Sequence, residues 1–145
     1  MSFLSSMNIS ASALTAQRQR LDVISENIAN QNTTRTEAGG PYRRKMVVLQ
    51  AQEPSSFKTV LGKKAQANQK GGVMVAEIVE DQREFTPVYD PEHPDANGDG
   101  YVLMPNVELV KETVDAMTAS RSYDANVTAF NTWKLMAQRA LDIGK

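Results

Sequence analysis

The sequence predicts an α+β fold in which long N- and C-terminal helices pack together as a coiled-coil-like rod around a small antiparallel β-rich middle region. Three observations predict it. Residues 3–29 and 107–143 contain neither Pro nor Gly. Their apolar residues recur at intervals of three and four, the spacing of one face of a helix. Every Pro and seven of the 8 Gly lie between residues 30 and 105, where runs of Val and Met alternate with turn residues. The division that follows is residues 1–30 as an N-terminal assembly helix, 31–105 as a β- and turn-rich middle, and 106–145 as a C-terminal assembly helix.

In the first segment Met7, Leu14, Leu21 and Ile28 form a seven-residue row with Ile24 beside it, a coiled-coil seam whose companion row is polar at Ser10 and Gln17. At 100° per residue Ile9, Ala13, Ala16 and Val23 fall on a separate flank. Two apolar stripes on one helix call for two partners.

The C-terminal segment would be about 55 Å long at ~1.5 Å per residue. Tyr123, Val127, Phe130, Ala137 and Leu141 share one face, and Val110, Val114, Met117 and Leu135 form a second row interrupted by Arg121, Thr128 and Arg139. Asn106 stands where an N-cap is expected, Glu108 and Glu112 sit near the positive dipole end, and Gly144 marks the stop.

Between the helices, Tyr42–Gln50 and Val73–Val79 read as strands, and two or three antiparallel strands are expected. Residues 55–72 read as an exposed loop. A middle region this polar cannot cover two helices with two apolar faces each. At ~25 cal/mol per Å² of apolar surface, flanks of this size represent on the order of ten kcal/mol that only neighbouring subunits can recover. Sequence physics therefore points to a subunit of an assembly. An unpaired helix of this kind has little support alone and is expected to order on assembly.

Composition removes several other classes. With 16 Lys plus Arg against 17 Asp plus Glu, the chain has no overall positive field for nucleic acid, and no nucleic-acid partner is expected. The absence of Cys excludes disulfides and thiolate sites. His93 is the only histidine, so neither a catalytic triad nor a two-histidine metal site can be built, and no phosphate-cradling glycine motif occurs. No catalytic residue, cofactor, metal or small-molecule substrate is expected. Asp95, Asn97, Asp99 and Gly100 reproduce the opening of a calcium loop, but its twelfth position is Asn106 rather than Glu, and Pro91, Pro94 and Pro105 deny it flanking helices. An Asx- and Gly-rich turn is the expectation. Arg43, Arg44, Lys45, Lys63 and Lys64 read as solvent-facing charge, with packing against a neighbouring subunit as the alternative.

Three stretches carry a family resemblance. SALTAQRQRLDVISENIANQNTTRT (Ser12–Thr36), with its N-x-A-N element from Asn27 to Asn30, resembles the N-terminal signature of bacterial flagellar rod and hook proteins. YDPEHPDANGDGYVLMPNV (Tyr89–Val107) and SRSYDANVTAFNTWKLMAQRALDIGK (Ser120–Lys145) are similar to the proximal members of the rod family, with departures at Trp133 and Lys134. The resemblance implies a structural subunit that polymerises with itself and other flagellar rod proteins into a periplasm-crossing rod. It implies export by the flagellar type III apparatus without a cleaved signal peptide, and contacts with export-gate and ring components at the rod base. Asn27 and Asn30 join the helix-packing set. The row of Ile9, Val23, Val110, Val114, Met117 and Leu135 is assigned to neighbouring subunits.

Overall fold

The computed structural model describes residues 3–52 and 71–143. The element order is α1 (Phe3–Ala29), β1 (Lys45–Ala51), β2 (Val73–Glu80), β3 (Thr86–Tyr89), β4 (Tyr101–Met104) and α2 (Leu109–Ile143). Both terminal helices form where the three-four periodicity places them. Among the described residues the middle differs from expectation in number and arrangement, having four strands in two separate antiparallel pairs, β1–β2 and β3–β4. β1 pairs with β2 from Lys45 opposite Glu80 to Ala51 opposite Val73, with a bulge between Val48 and Leu49. β3 pairs with β4 from Thr86 opposite Met104 to Tyr89 opposite Tyr101. Most of the expected 55–72 loop, residues 55–70, lies outside the described residues, as does the Gly144 stop.

The helices run antiparallel. Asn27, near the end of α1, bonds Glu112 near the start of α2, while Arg20, two turns earlier in α1, pairs with Asp115 farther along α2. By the same register Ala16 stands level with Ala119. Both are buried, at 2% and 0% exposure, and alanine at such a level lets two helix backbones approach closely. At ~1.5 Å per residue α1 is about 40 Å long and α2 about 52 Å, so the last turns of α2 run past the start of α1.

The interior holds as much polar as apolar material. Among the described residues, Ala16, Val23, Ile24, Tyr42, Val102 and Ala119 are the buried apolar set, and Ser10, Asn27, Arg44, Asp81, Asn106 and Glu112 the buried polar one. The β1–β2 pair lies against α1, whereas β3–β4 packs against neither helix nor the other pair. The start of β2 comes close to α1: Ser12 Oγ accepts the Val73 N–H at 3.1 Å, and a Cβ at Gly72 would sit 2.9 Å from that oxygen. Among the described residues no helix is long and apolar enough to cross a membrane.

Candidate assembly surface and the polar clamp beneath it

A polar clamp holds the two helices and the middle region together. Asn27 uses its amide as a peptide group would: its Nδ2 donates to the Lys45 carbonyl at 2.9 Å, and its Oδ1 accepts the Lys45 N–H at 2.9 Å. Oδ1 also accepts the Tyr42 hydroxyl at 2.9 Å, and Nδ2 donates to Glu112 Oε2 at 3.0 Å. One fully buried side chain thus ties the end of α1 to β1, to the segment before it and to α2. A buried amide with every donor and acceptor engaged avoids the penalty of an unsatisfied polar group.

Arg44 is the second centre of the clamp. Its Nε donates to Glu112 Oε1, its Nη2 lies 3.3 Å from Asp115, and its Nη1 lies 3.8 Å from Asp81. Its backbone N–H donates to Asn106 Oδ1 at 2.8 Å, while the Asp81 N–H donates to the Arg44 carbonyl at 2.8 Å. Asn106 Nδ2 in turn donates to the carbonyls of Asp81 and Arg83. Arg83 donates to the Asp81 carboxylate, and that hydrogen bond, more than any other influence, holds the Asp81 pKa below the usual carboxylate value.

This geometry corrects three sequence expectations and extends a fourth. Asn106 does not cap α2, because its side-chain oxygen is taken by the Arg44 N–H; the helix begins at Leu109, and the Glu108 carbonyl accepts its first bond, from the Glu112 N–H. Glu112 stands in the first turn of α2, near the positive dipole end as expected, and is in addition the buried counter-ion of Arg44. Arg44 itself is buried, not solvent-facing, because three carboxylates converge on it. Tyr42 is not part of β1, which starts at Lys45, because its ring turns inward to Asn27.

Tyr42 gives the clamp an alkaline limit. Burial first, and then the negative charges of Glu26, Glu112 and Glu80, push its hydroxyl from 10.0 up to about 12. Between those values the folded chain keeps a proton that the unfolded chain has released. The stabilisation is complete below pH ~10, falls as pH rises and is spent above about 12, amounting to on the order of 3 kcal/mol. The melting temperature is therefore expected to drop more steeply between these pH values in the parent chain than in Tyr42→Phe. Equal slopes in thermal melts would contradict the assignment.

The residues expected in the helix seam divide by depth. Ile24 is buried, and Met7, Leu14, Leu21, Ile28, Tyr123, Val127, Phe130 and Ala137 are half-buried. Leu141 is 72% exposed, because it sits where α2 has passed the start of α1. Asn30 closes α1 instead of packing between helices: its N–H and Nδ2 both donate to the Glu26 carbonyl. Val23, expected on the row facing neighbouring subunits, is buried within the chain because α1 turns its small-residue flank inward. Ile9 is half-buried, with its Cδ1 3.5 Å from where a Cβ on Gly71 would stand.

The rest of that row is open. Val110 is 78% exposed, and Val114, Met117 and Leu135 are each more than half exposed. At 100° per residue they lie about 180° around α2 from Glu112, Ala119, Phe130 and Ala137, so α1 of the same chain cannot reach them. A groove of about 270 Å³ between α1, β1 and α2 is lined by apolar residues such as Ile24 and Met46 and by charges of both signs, among them Lys111 and Asp115. The Asp90–Gly100 segment is an Asx turn: Asn97 Oδ1 accepts the N–H groups of Asp99 and Tyr101, and Gly100 adopts φ 79°. His93 Nδ1 accepts the Asp95 N–H within the same turn.

Two long antiparallel helices locked by a buried clamp, with an apolar row aimed away from their own partner, define a structural subunit made to be surrounded by others. Residues 7–35 match the family model described as flagella basal body rod protein, and residues 99–143 match that of the flagellar basal body rod FlgEFG protein C-terminal region. The chain is 52% identical to the flagellar basal-body rod protein FlgC of Bacillus subtilis, with 97% of each chain covered. It is 46% identical to FlgC of Borreliella burgdorferi, covering 99% of this chain and 98% of the relative, and 43% identical to FlgC of Escherichia coli O157:H7 over the whole of both. The chain belongs to the FlgC family of flagellar basal-body rod proteins, and it is a structural subunit of the flagellar basal-body rod. The two family models contain Asn27 and Glu112, the helix members of the clamp, while Arg44 and Asp81 lie between them in sequence.

Proposed function

We propose that the chain polymerises with copies of itself and with other rod proteins into a periplasm-crossing shaft that transmits torque. The observation that supports this reading is the open row Val110, Val114, Met117 and Leu135, which faces away from α1 of the same chain. In this reading residues 1–30 and 106–145 are the assembly helices, and 31–105 is the middle region that fixes their mutual register. Met7, Leu14, Leu21, Ile24, Ile28, Tyr123, Val127, Phe130, Ala137 and Leu141 build the helix pair and its extension, and the outer row meets neighbours. Torque passes through many small lateral contacts, which resist twisting because closely packed side chains are stiff. The helices complete their ordering on assembly, when the flanks that a lone chain leaves wet are covered.

The export-gate and ring components at the rod base are the further partners in this reading, and the flagellar type III apparatus is the route out, without a cleaved signal peptide. The role is mechanical and calls for no catalytic group. Electron microscopy of basal bodies from cells lacking the chain tests it: loss of the rod and of motility is expected, and normal rods would overturn the reading.

A further inference from the structure

The β3–β4 hairpin carries a second apolar surface with no cover among the described residues. Cross-strand pairing puts Tyr89 opposite Tyr101 and Pro87 opposite Leu103, and the period of two places these four residues on one face. All four are exposed, Tyr89 at 65%. The two tyrosine rings meet edge to face at 5.3 Å, which makes a rigid aromatic platform. The opposite face is turned inward at Val102. Just past the platform, the turn carries Asp90, Glu92, Asp95 and Asp99, all exposed.

The outer face of α2 is complementary in order, length and charge. Val110, Val114 and Met117 are followed by Arg121 on one stripe, covering about 16 Å at ~1.5 Å per residue. The four-residue strands of the hairpin run about 13 Å at ~3.3 Å per residue, with the apolar face in the part next to the turn, and then comes the acidic turn. Since β3 and β4 pack against neither helix of their own chain, the hairpin does not seat on its own α2. Resting on the rod-subunit reading above, the geometry points to a contact between copies, in which the hairpin face Pro87, Tyr89, Tyr101 and Leu103 of one copy seats on Val110, Val114 and Met117 of the next, with the acidic turn against Arg121. The contact joins two different patches, so it repeats head to tail, and where the rotation between copies does not close a ring it extends a helical array. Apolar area supplies the attraction, and the charges set the register.

Because the chain has no Cys, single cysteines report the contact directly. Cells are made to carry two versions of the chain, Tyr101→Cys and Met117→Cys, and their basal bodies are purified and oxidised. A second pair, Leu103→Cys with Val114→Cys, covers the case in which the first fails to assemble. A disulfide-linked dimer that needs both versions is expected. Its yield should fall about tenfold when Arg121→Glu is added to the Met117→Cys chain, and recover when Glu92→Lys and Asp99→Lys are added to the Tyr101→Cys chain. Chains that enter basal bodies but give neither mixed link overturn the contact alone. So do a Met117→Cys chain that links only to itself and one that links only to a different rod protein. Absence of the parent chain from basal bodies would instead overturn the rod reading.

Discussion

Replacing Glu112 by leucine is expected to remove about 3 kcal/mol of folding stability, the cost of leaving Arg44 Nε and one Asn27 donor buried without an acceptor. Glu112 has no exposed surface and receives both Arg44 Nε and Asn27 Nδ2. Its loss strands the guanidinium beside Asp81 and Asp115, at 3.8 and 3.3 Å, and frees one Asn27 donor. Domains of this size are stable by only ~5–15 kcal/mol, so the variant should unfold at markedly lower urea concentration. Changing both partners, Arg44→Met with Glu112→Leu, should cost less than the two single changes added together, since a well-packed apolar pair can substitute for an ionic one. A Glu112→Leu chain within about 1 kcal/mol of the parent would show that the clamp is not what joins the helices.

The inner and outer faces of α2 should fail in different ways. Phe130→Asp places a carboxylate in the half-buried helix interface and is expected to cost about 3–5 kcal/mol and to abolish motility. Val114→Asp with Met117→Asp changes only exposed positions, so the isolated chain should unfold within about 0.5 kcal/mol per site of the parent. Rod completion and swimming should nevertheless be lost, because the row then meets its neighbour with two charges. Urea unfolding beside a motility assay separates the two. Normal swimming of the outer-face variant would remove that row from the assembly surface.

The helices were legible because their signal is periodic and local. Three-four spacing over more than twenty residues needs no tertiary information, and both helices stand where it places them. The outer row of α2 could be read for the same reason. The clamp could not, because it joins residues far apart in sequence: Asn27 with Glu112, and Arg44 with Asn106. A polar residue at such a site looks like a surface residue until its partner is known. One signal did exist, in that Glu112 lies seven residues before Ala119 and on the same line of α2, an acidic residue on the stripe destined for burial. On α1, large side chains drew the seam toward Met7, Leu14 and Leu21, while the deepest positions proved to be Ala16, Val23, Ile24 and Asn27. Close approach of two helices selects for small residues as strongly as for large ones. The middle strands divided into two pairs because β3 and β4 are only four residues long and meet across an Asx turn, a local pairing that does not reach the β1–β2 pair.

Because α2 outruns α1, the two ends of the helix pair are chemically unlike: one is finished by the clamp, and the other is a single helix bearing Leu135, Met136 and Leu141 in the open. An object with unlike ends has a head and a tail, and any filament that repeats it in one orientation inherits that polarity. The two tips of such a filament then offer different surfaces to an incoming copy.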